Sequence, residues 1–115
     1  ELMLAREDHN LVSLPTGEVL VTGGTDPNVG FRKRPQLWNP YDGKWSIGLA
    51  EEPVGRGYHS VAFLIPSGEV LTGGGNHTVT TGVIYRPPYL FTATGATATR
   101  PTISCVPGEI AFRDF

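Results

Sequence analysis

The segment LPTGEVL at residues 14–20 recurs as IPSGEVL at residues 65–71, a shift of 51 positions. The same shift carries Gly23-Gly24 onto Gly74-Gly75. Proline presets the backbone at the second position of a turn, and glycine tolerates the fourth, so Pro-x-Gly predicts a tight turn built on type I. The repeat therefore predicts two hairpins of the same design.

Each predicted turn joins two apolar segments of strand length. Because these segments are rich in Val, Leu and Ile, we expect strands that are covered on both faces, and no helix longer than two turns. The antiparallel pairs expected are residues 11–14 with 19–22, and residues 61–65 with 70–72.

A period near 50 residues that contains a hairpin and a double glycine is typical of the kelch repeats of β-propellers. The first repeat also has Trp38 and Trp45 on either side of a proline-containing turn, and we expect both to pack within the blade. In the second repeat Tyr85 takes the aromatic position, but PPYLF follows at residues 87–91 and the repeat ends. Two units cannot close a ring of about four to eight blades, so we expect further blades before Glu1.

Composition excludes several other classes of protein. With 15 Gly and 10 Pro among 115 residues, a helical bundle is excluded. No apolar run approaches the length of about 18 residues that a membrane span needs, and a net charge of −2 offers no basic surplus for nucleic acid. We therefore expect an all-β chain that binds neither membrane nor nucleic acid.

The chain divides into three parts by composition. Residues 1–91 hold the two repeats, residues 92–99 contain only Thr, Ala and Gly, and residues 100–115 regain strand character. We expect the last kelch blades, a linker, and the first strands of a second β domain. The start at Glu1 and the end within an alternating run further predict a fragment of a larger protein, with partners in its own upstream and downstream polypeptide.

Five blocks in fixed order carry a family resemblance. They are RGYHS at 56–60, IPSG at 65–68, GGG at 73–75, PYLF at 88–91 and ATRP at 98–101. Together they resemble the galactose oxidase and glyoxal oxidase family, which are secreted copper radical oxidases. The resemblance implies the last two blades of a kelch propeller followed by the start of an immunoglobulin-like β-sandwich, in an extracellular protein.

The resemblance also implies a copper site. In that family the adjacent Tyr and His of this motif bind copper, which makes Tyr58 the axial phenolate and catalytic base and His59 an equatorial ligand. Imidazole and phenolate suit Cu(II) in a tetragonal site. The family's Tyr–Cys crosslink would lie upstream, because Cys105 follows the propeller, and its second histidine ligand would lie downstream.

The repeat adds a separate argument for this position. The shift of 51 places Glu7 and Asp8 where Tyr58 and His59 stand, so the turn is repeated but Tyr-His is not. Consecutive residues of a regular strand point to opposite faces. Both rings can reach one metal only where the strand is irregular, which the preceding Gly55 and Gly57 could permit.

Other candidate residues have two interpretations each. The resemblance places Phe31 beside the substrate, but a loop phenylalanine could equally cover the blade edge. The basic residues 32–34 could favour an acidic ligand or simply be solvated. We expect His9 to be a hydrogen-bonded structural histidine, His77 a loop residue and Cys105 a small buried apolar residue. Asn76 begins an Asn-His-Thr sequon.

Two hypotheses from different classes follow. The first is a fragment of an oxidase that converts a primary alcohol, a sugar or an aldehyde and O2 into the oxidised product and H2O2. The second is a non-catalytic propeller, with a binding or structural role, in which Tyr58 and His59 are packed at the propeller axis without copper.

Overall fold

The structure, a computed structural model, describes residues 2–46, 49–76 and 79–105. These residues form two antiparallel sheets. The first has the order β1-β2-β4-β5 with β3 beside β2, and the second has the order β6-β7-β8. The strands are β1 (Glu7–Ser13), β2 (Val19–Asp26), β3 (Gly30–Phe31), β4 (Gln36–Asn39), β5 (Lys44–Ser46), β6 (Ser60–Leu64), β7 (Val70–Gly74) and β8 (Gly82–Tyr85).

Helix is confined, within the described residues, to the 3-10 turn at Pro88–Leu90. None of the described segments forms a helix of the length and apolarity required to cross a membrane. The expectation of an all-β chain is confirmed.

Both predicted hairpins are confirmed. Val12 pairs with Leu20 in the first hairpin, and Phe63 pairs with Leu71 in the second. The amide of Gly17 donates to the carbonyl of Leu14 at 2.9 Å, and the amide of Gly68 donates to the carbonyl of Ile65 at 2.8 Å. Both glycines have φ near +80° (+83° and +80°), a conformation that closes a type I turn with a bulge and strongly favours glycine.

The two sheets are arranged so that one face of the first is covered by the second. A cross-strand row of the first sheet, here called the buried row, is 0 to 7% exposed and packs against Val70, Ala62 and Tyr85. The row consists of Val12, Leu20 and Leu37, which are neighbours across β1, β2 and β4. Its burial places the apolar core between the sheets.

The same row recurs in the second sheet, where nothing described covers it. This exposed row consists of Phe63, Leu71 and Ile84, which are neighbours across β6, β7 and β8. Phe63 is 48% exposed and Ile84 is 44% exposed. The prediction that both faces of the strands are covered is therefore wrong for this face within the described residues, because only one sheet lies beside the second.

Aromatic and proline side chains complete each repeat. Trp38 and Trp45 are directly opposite each other on β4 and β5. Pro87 is fully buried, and the hydroxyl of Tyr89 donates to the carbonyl of Gly68 at 2.5 Å. The end of the second repeat is thereby fastened to its own hairpin turn. Burial raises the pKa of both Tyr85 and Tyr89.

The segment after Phe91 differs from expectation in two respects. Phe91 and Thr97 form an isolated antiparallel bridge, but residues 100–105 form no strand, because no described segment pairs with them. Cys105 is exposed rather than buried, since residues 101–105 all lie at the surface. The rest of the expected strand region, residues 106–115, and His77 lie outside the described residues.

Candidate functional site

Tyr58 and His59 occupy a tight turn that leads into β6. The amide of Ser60 donates to the carbonyl of Gly57 at 3.0 Å, and His59 has φ of +63°. This left-handed residue breaks the alternation of a regular strand. The two rings consequently stack on the same side of the chain, with centroids 3.8 Å apart and planes inclined by 29°. Both side chains are exposed, Tyr58 by 58%.

The first repeat has a similar backbone irregularity at the start of β1, without the two rings. Asp8, which the shift of 51 aligns with His59, also has positive φ, at +53°. The local backbone strain is therefore a property of the repeat, and the aromatic pair is particular to the second copy.

The segments that follow Arg6 and Arg56 differ in length by one residue. Arg6 donates to the carbonyl of Gly23 at 2.8 Å, and Arg56 donates to the carbonyl of Gly74 at 2.7 Å. The residues opposite these glycines are His9 and Ser60. Two residues separate Arg6 from His9, and three separate Arg56 from Ser60. The second repeat has room for Gly57 as well as for the Tyr58-His59 pair.

A buried ion pair lies directly before this turn. Arg56 is 2% exposed, and its Nε donates to Oε2 of Glu52 at 3.0 Å. Glu52 in turn accepts hydrogen bonds from the hydroxyls of Thr22 in the first sheet and Thr72 in the second. One carboxylate thereby joins both sheets to Arg56, and the buried charges are paired as their burial requires.

Phe31 lies against the same segment from the first sheet. A Cβ built on Gly55 would lie 2.5 Å from the Cβ of Phe31, and one built on Gly57 would lie 3.3 Å from Cε1 of its ring. The phenylalanine therefore covers the backbone that leads to Tyr58, while 46% of its surface stays exposed. This position is compatible with both interpretations of Phe31 given by the sequence.

The hairpin of β2 and β3 holds Phe31 in place through an ion pair. Arg32 lies 2.5 Å from Oδ2 of Asp26, and its Nε donates to the carbonyl of Ala5 at 3.2 Å. Hydrogen bonds from the Asn28 amide and from the Arg32 guanidinium hold the pKa of Asp26 below its ordinary value.

The basic run at residues 32–34 is used in internal contacts. Arg34 pairs with Glu51 at 3.0 Å, and Nζ of Lys33 donates to the carbonyl of Pro53 at 3.3 Å. With Arg32 also paired, these residues connect the β2–β3 hairpin to the segment before Arg56. The structure thus gives no support to the suggestion that they bind an acidic ligand.

His9 lies beside the site in the first repeat. Its neighbour Asn10 donates from Nδ2 to the Ser60 hydroxyl at 2.9 Å, which places β1 next to β6. Nδ1 of His9 is buried and has no hydrogen-bond partner in the described part of the chain. The expectation of a hydrogen-bonded histidine is wrong for this nitrogen.

Within residues 2–46, 49–76 and 79–105, no group of three or more His, Cys, Asp or Glu side chains converges as a metal site. Tyr58 and His59 are the two predicted ligands that the structure brings together. Sequence reasoning missed the buried partners Arg56 and Glu52. The available signal was the Arg-x-x-His spacing shared by Arg6 with His9 and by Arg56 with His59.

Comparison with known proteins gives a consistent result. No family model matches the chain. Two galactose oxidases of Gibberella zeae are 33% identical to it in alignments that cover 90% of this chain and 17% of theirs. The resemblance to the galactose oxidase family is confirmed. The chain thus spans about a sixth of the length of these relatives.

A solved structure extends the galactose oxidase resemblance to the fold. The structure of a fungal alcohol oxidase of the AA5 family, in complex with copper, superposes with a TM-score of 0.80 and 28% identity. The match covers 91% of this chain and 24% of that one. The two sheets described above are therefore similar to a portion of a copper-containing oxidase.

Proposed function

We propose that this chain is part of a secreted, mononuclear copper radical oxidase that oxidises a primary alcohol or an aldehyde with O2 and releases H2O2. The stacked Tyr58-His59 pair carries this proposal. It is absent from the equivalent position of the first repeat, and it occurs in a chain that is 33% identical to galactose oxidases. Because the scaffold is repeated and this side-chain pair is not, a functional site explains the pair better than packing does.

The residues present fit part of a copper centre. Tyr58 offers a phenolate oxygen and His59 an imidazole nitrogen, donors that suit Cu(II). Both are exposed on the same side of the turn, so they can reach one ion. Two donors do not complete a site, and the other ligands, together with a Tyr–Cys crosslink, would come from elsewhere in the polypeptide.

Tyr58 has the proton-transfer role in the proposed reaction. Its Oη accepts the hydroxyl proton of a bound alcohol, which is general-base catalysis by a positioned side chain. His59 holds the metal through a ring nitrogen, and Phe31 offers an apolar surface to the carbon skeleton of a sugar or another small alcohol. Copper, when bound, supplies one-electron redox chemistry. The overall reaction converts an alcohol and O2 into an aldehyde and H2O2.

The architecture proposed for the intact protein is a kelch β-propeller followed by an immunoglobulin-like domain. Residues 1–91 would be the last two blades, residues 92–99 the linker and residues 100–115 the start of the second domain. Two observations support further blades. The sheets repeat with the same apolar row, and that row is buried in the first sheet and exposed in the second.

The test uses the intact protein, in which copper content and H2O2 production are both measured. His59→Ala should abolish copper loading and H2O2 release, because the ion loses its imidazole. Tyr58→Phe should retain copper but slow turnover by about 10²-fold or more, since general-base catalysis of this kind contributes at least that factor.

His9→Ala is the matched control, because His9 lies on β1 beside the site and is not proposed to bind copper. It should retain copper and activity. If His59→Ala also retains wild-type copper and H2O2 release, the oxidase proposal is wrong for this site, and the alternative of a non-catalytic propeller protein is favoured.

A further inference from the structure

The turn that carries Tyr58 and His59 is fastened at both ends to Gly74. At its start, Nη1 of Arg56 donates to the Gly74 carbonyl. At its end, Ser60 pairs with Gly74, and a Cβ built on that glycine would lie 3.1 Å from the His59 carbonyl oxygen. The three residues between these contacts, Gly57, Tyr58 and His59, are thus anchored on both sides to one glycine.

The backbone of Arg56 fastens the turn to the first sheet as well. Its carbonyl accepts a hydrogen bond from the Gly24 amide at 2.6 Å. The side chain meanwhile donates to Glu52 and, at 3.4 Å, to the hydroxyl of Thr81. Arg56 thus contacts both sheets by itself. Only Gly57 separates it from the two exposed rings.

The first repeat shows which of these contacts belong to the scaffold. Arg6 makes the equivalent bond to Gly23, but its other acceptors are Oε1 of Gln36 at 3.2 Å and the carbonyl of Arg34 at 3.0 Å. These are neutral groups. In the part of the chain that the structure describes, a carboxylate shared between two sheets is present only beside the turn that bears Tyr58 and His59.

The geometry points to Arg56 and Glu52 as positioning residues for the Tyr58-His59 pair, an inference that rests on the proposed function. They do not contact the substrate or supply a ligand. Their buried ion pair fixes the start of the turn, and the stacked orientation of the two rings follows from that anchorage. Removing either partner would leave an uncompensated buried charge and a free turn.

Arg56→Lys is the informative change, because lysine keeps the charge but cannot reach Glu52, Gly74 and Thr81 at once from a planar fork. In the intact protein it should lower copper affinity by about 10- to 100-fold, the usual effect of losing the support of a metal ligand. Affinity is measured by chelator competition, and the Cu(II) electron paramagnetic resonance spectrum should change with it.

A second measurement needs no metal. In the copper-free intact protein with 13C-labelled histidine, the ring of Tyr58 should shift the His59 resonance through its ring current. Arg56→Lys should move that resonance towards the value of an unstacked histidine. Glu52→Gln should do the same to a smaller extent, and it serves as the second variant if Arg56→Lys does not fold.

Arg6→Lys is the matched control, because it removes a similarly buried arginine that bonds to a glycine carbonyl in the first repeat. It should lower Tm without moving the His59 resonance or the copper affinity. If the Arg56 and Arg6 variants both lower Tm while the His59 resonance and the copper affinity stay at wild-type values, the positioning role is wrong.

Failure of the proposed function gives a different result. An intact wild-type protein that binds no copper would refute the oxidase proposal. The positioning role would then depend on the resonance alone: a shift caused by Arg56→Lys and not by Arg6→Lys supports it, and the absence of such a shift overturns it.

Discussion

Gly55 allows Phe31 to pack against the backbone of this site, because glycine has a hydrogen atom where other residues have a side chain. The ring and Cβ of Phe31 occupy the volume that any Cβ at position 55 would need. Because Phe31 belongs to the short strand β3, its Cβ cannot move aside without disturbing the β2–β3 hairpin. The close approach of two chain segments therefore depends on glycine at this position.

Gly55→Ala should destabilise the intact protein by about 1–3 kcal/mol, the usual cost of inserting a methyl group into an occupied site. Denaturant unfolding followed by fluorescence measures the change. The control is the double variant with Phe31→Gly, which removes both the ring and the Cβ that a methyl group at position 55 would meet. If the Gly55→Ala change costs the same with and without the Phe31 side chain, then the overlap with that side chain is not the cause.

The sequence predicted the arrangement of Tyr58 and His59 only as a condition for binding one metal ion. The sequence showed that neighbouring residues must leave the regular alternation to reach one ion, and the positive φ of His59 provides this departure. The contacts of Phe31 with Gly55 and of Arg56 with Glu52 could not be anticipated. Phe31 and Gly55 belong to segments that share no pattern. Arg56 and Glu52 are only four residues apart, but the geometry of their contact depends on how the hairpins pack.

At the scale of the element, the β2–β3 hairpin is short and depends on its polar contacts. β3 has only two residues, which pair with Thr25 and Asp26. Such a brief ladder adds little stability by itself. The Asp26–Arg32 ion pair and the hydrogen bond from the Asn28 amide to Asp26 close the hairpin. They thereby hold Phe31 over the segment that leads to Tyr58.

Acidification should loosen this hairpin through Asp26. Its folded-state pKa is lowered, so the ionised carboxylate stabilises the fold above the unfolded pKa of about 3.9, and this contribution is lost as pH falls through the folded-state value. Asp26→Asn should lower Tm at neutral pH, and its Tm should approach that of the wild type as pH falls below about 4. Thermal unfolding across this range is the measurement.

Glu51→Gln is the control for the Asp26 experiment. It removes an ion pair of the same kind, but Arg34 and Glu51 are 48 and 55% exposed, so solvent screens their attraction. It should change Tm little at any pH. A Tm difference for Asp26→Asn that stays constant from pH 7 to below pH 4 would contradict the role given to its ionised carboxylate.

The hairpins themselves were predictable because their information is local. Pro-x-Gly turns flanked by apolar runs specify both register and partner, and the observed pairs of Val12 with Leu20 and Phe63 with Leu71 agree with those predicted. Residues 100–105 show the opposite case. Their composition suits a strand, but a strand also needs a partner, and sequence pattern does not supply one.

At the scale of the whole molecule, the second sheet packs on one face of the first and has an equivalent face of its own. The second sheet covers the buried row of the first, and it presents the equivalent exposed row outwards. A further sheet placed by the same step would cover Phe63, Leu71 and Ile84. This arrangement is how the blades of a propeller share their cores.

Leu20→Ala and Leu71→Ala test that arrangement in the intact protein. Leu20 is fully buried, so its truncation should cost about 2–5 kcal/mol. If a third sheet covers the exposed row, truncation of Leu71 should cost a comparable amount. A cost below about 1 kcal/mol for Leu71→Ala, the range of surface substitutions, would show that this face meets solvent and would contradict the propeller proposal.

The single extra residue between Arg56 and Ser60 has a consequence for how such a protein can change. The contacts on either side of the insertion are the same in both repeats: an arginine on a glycine carbonyl before it, and a strand opposite that glycine after it. Length added between them is absorbed within one turn and does not alter the ladder beyond. Chemistry can thus be gained, lost or transplanted at one repeat while the other keeps an unaltered frame.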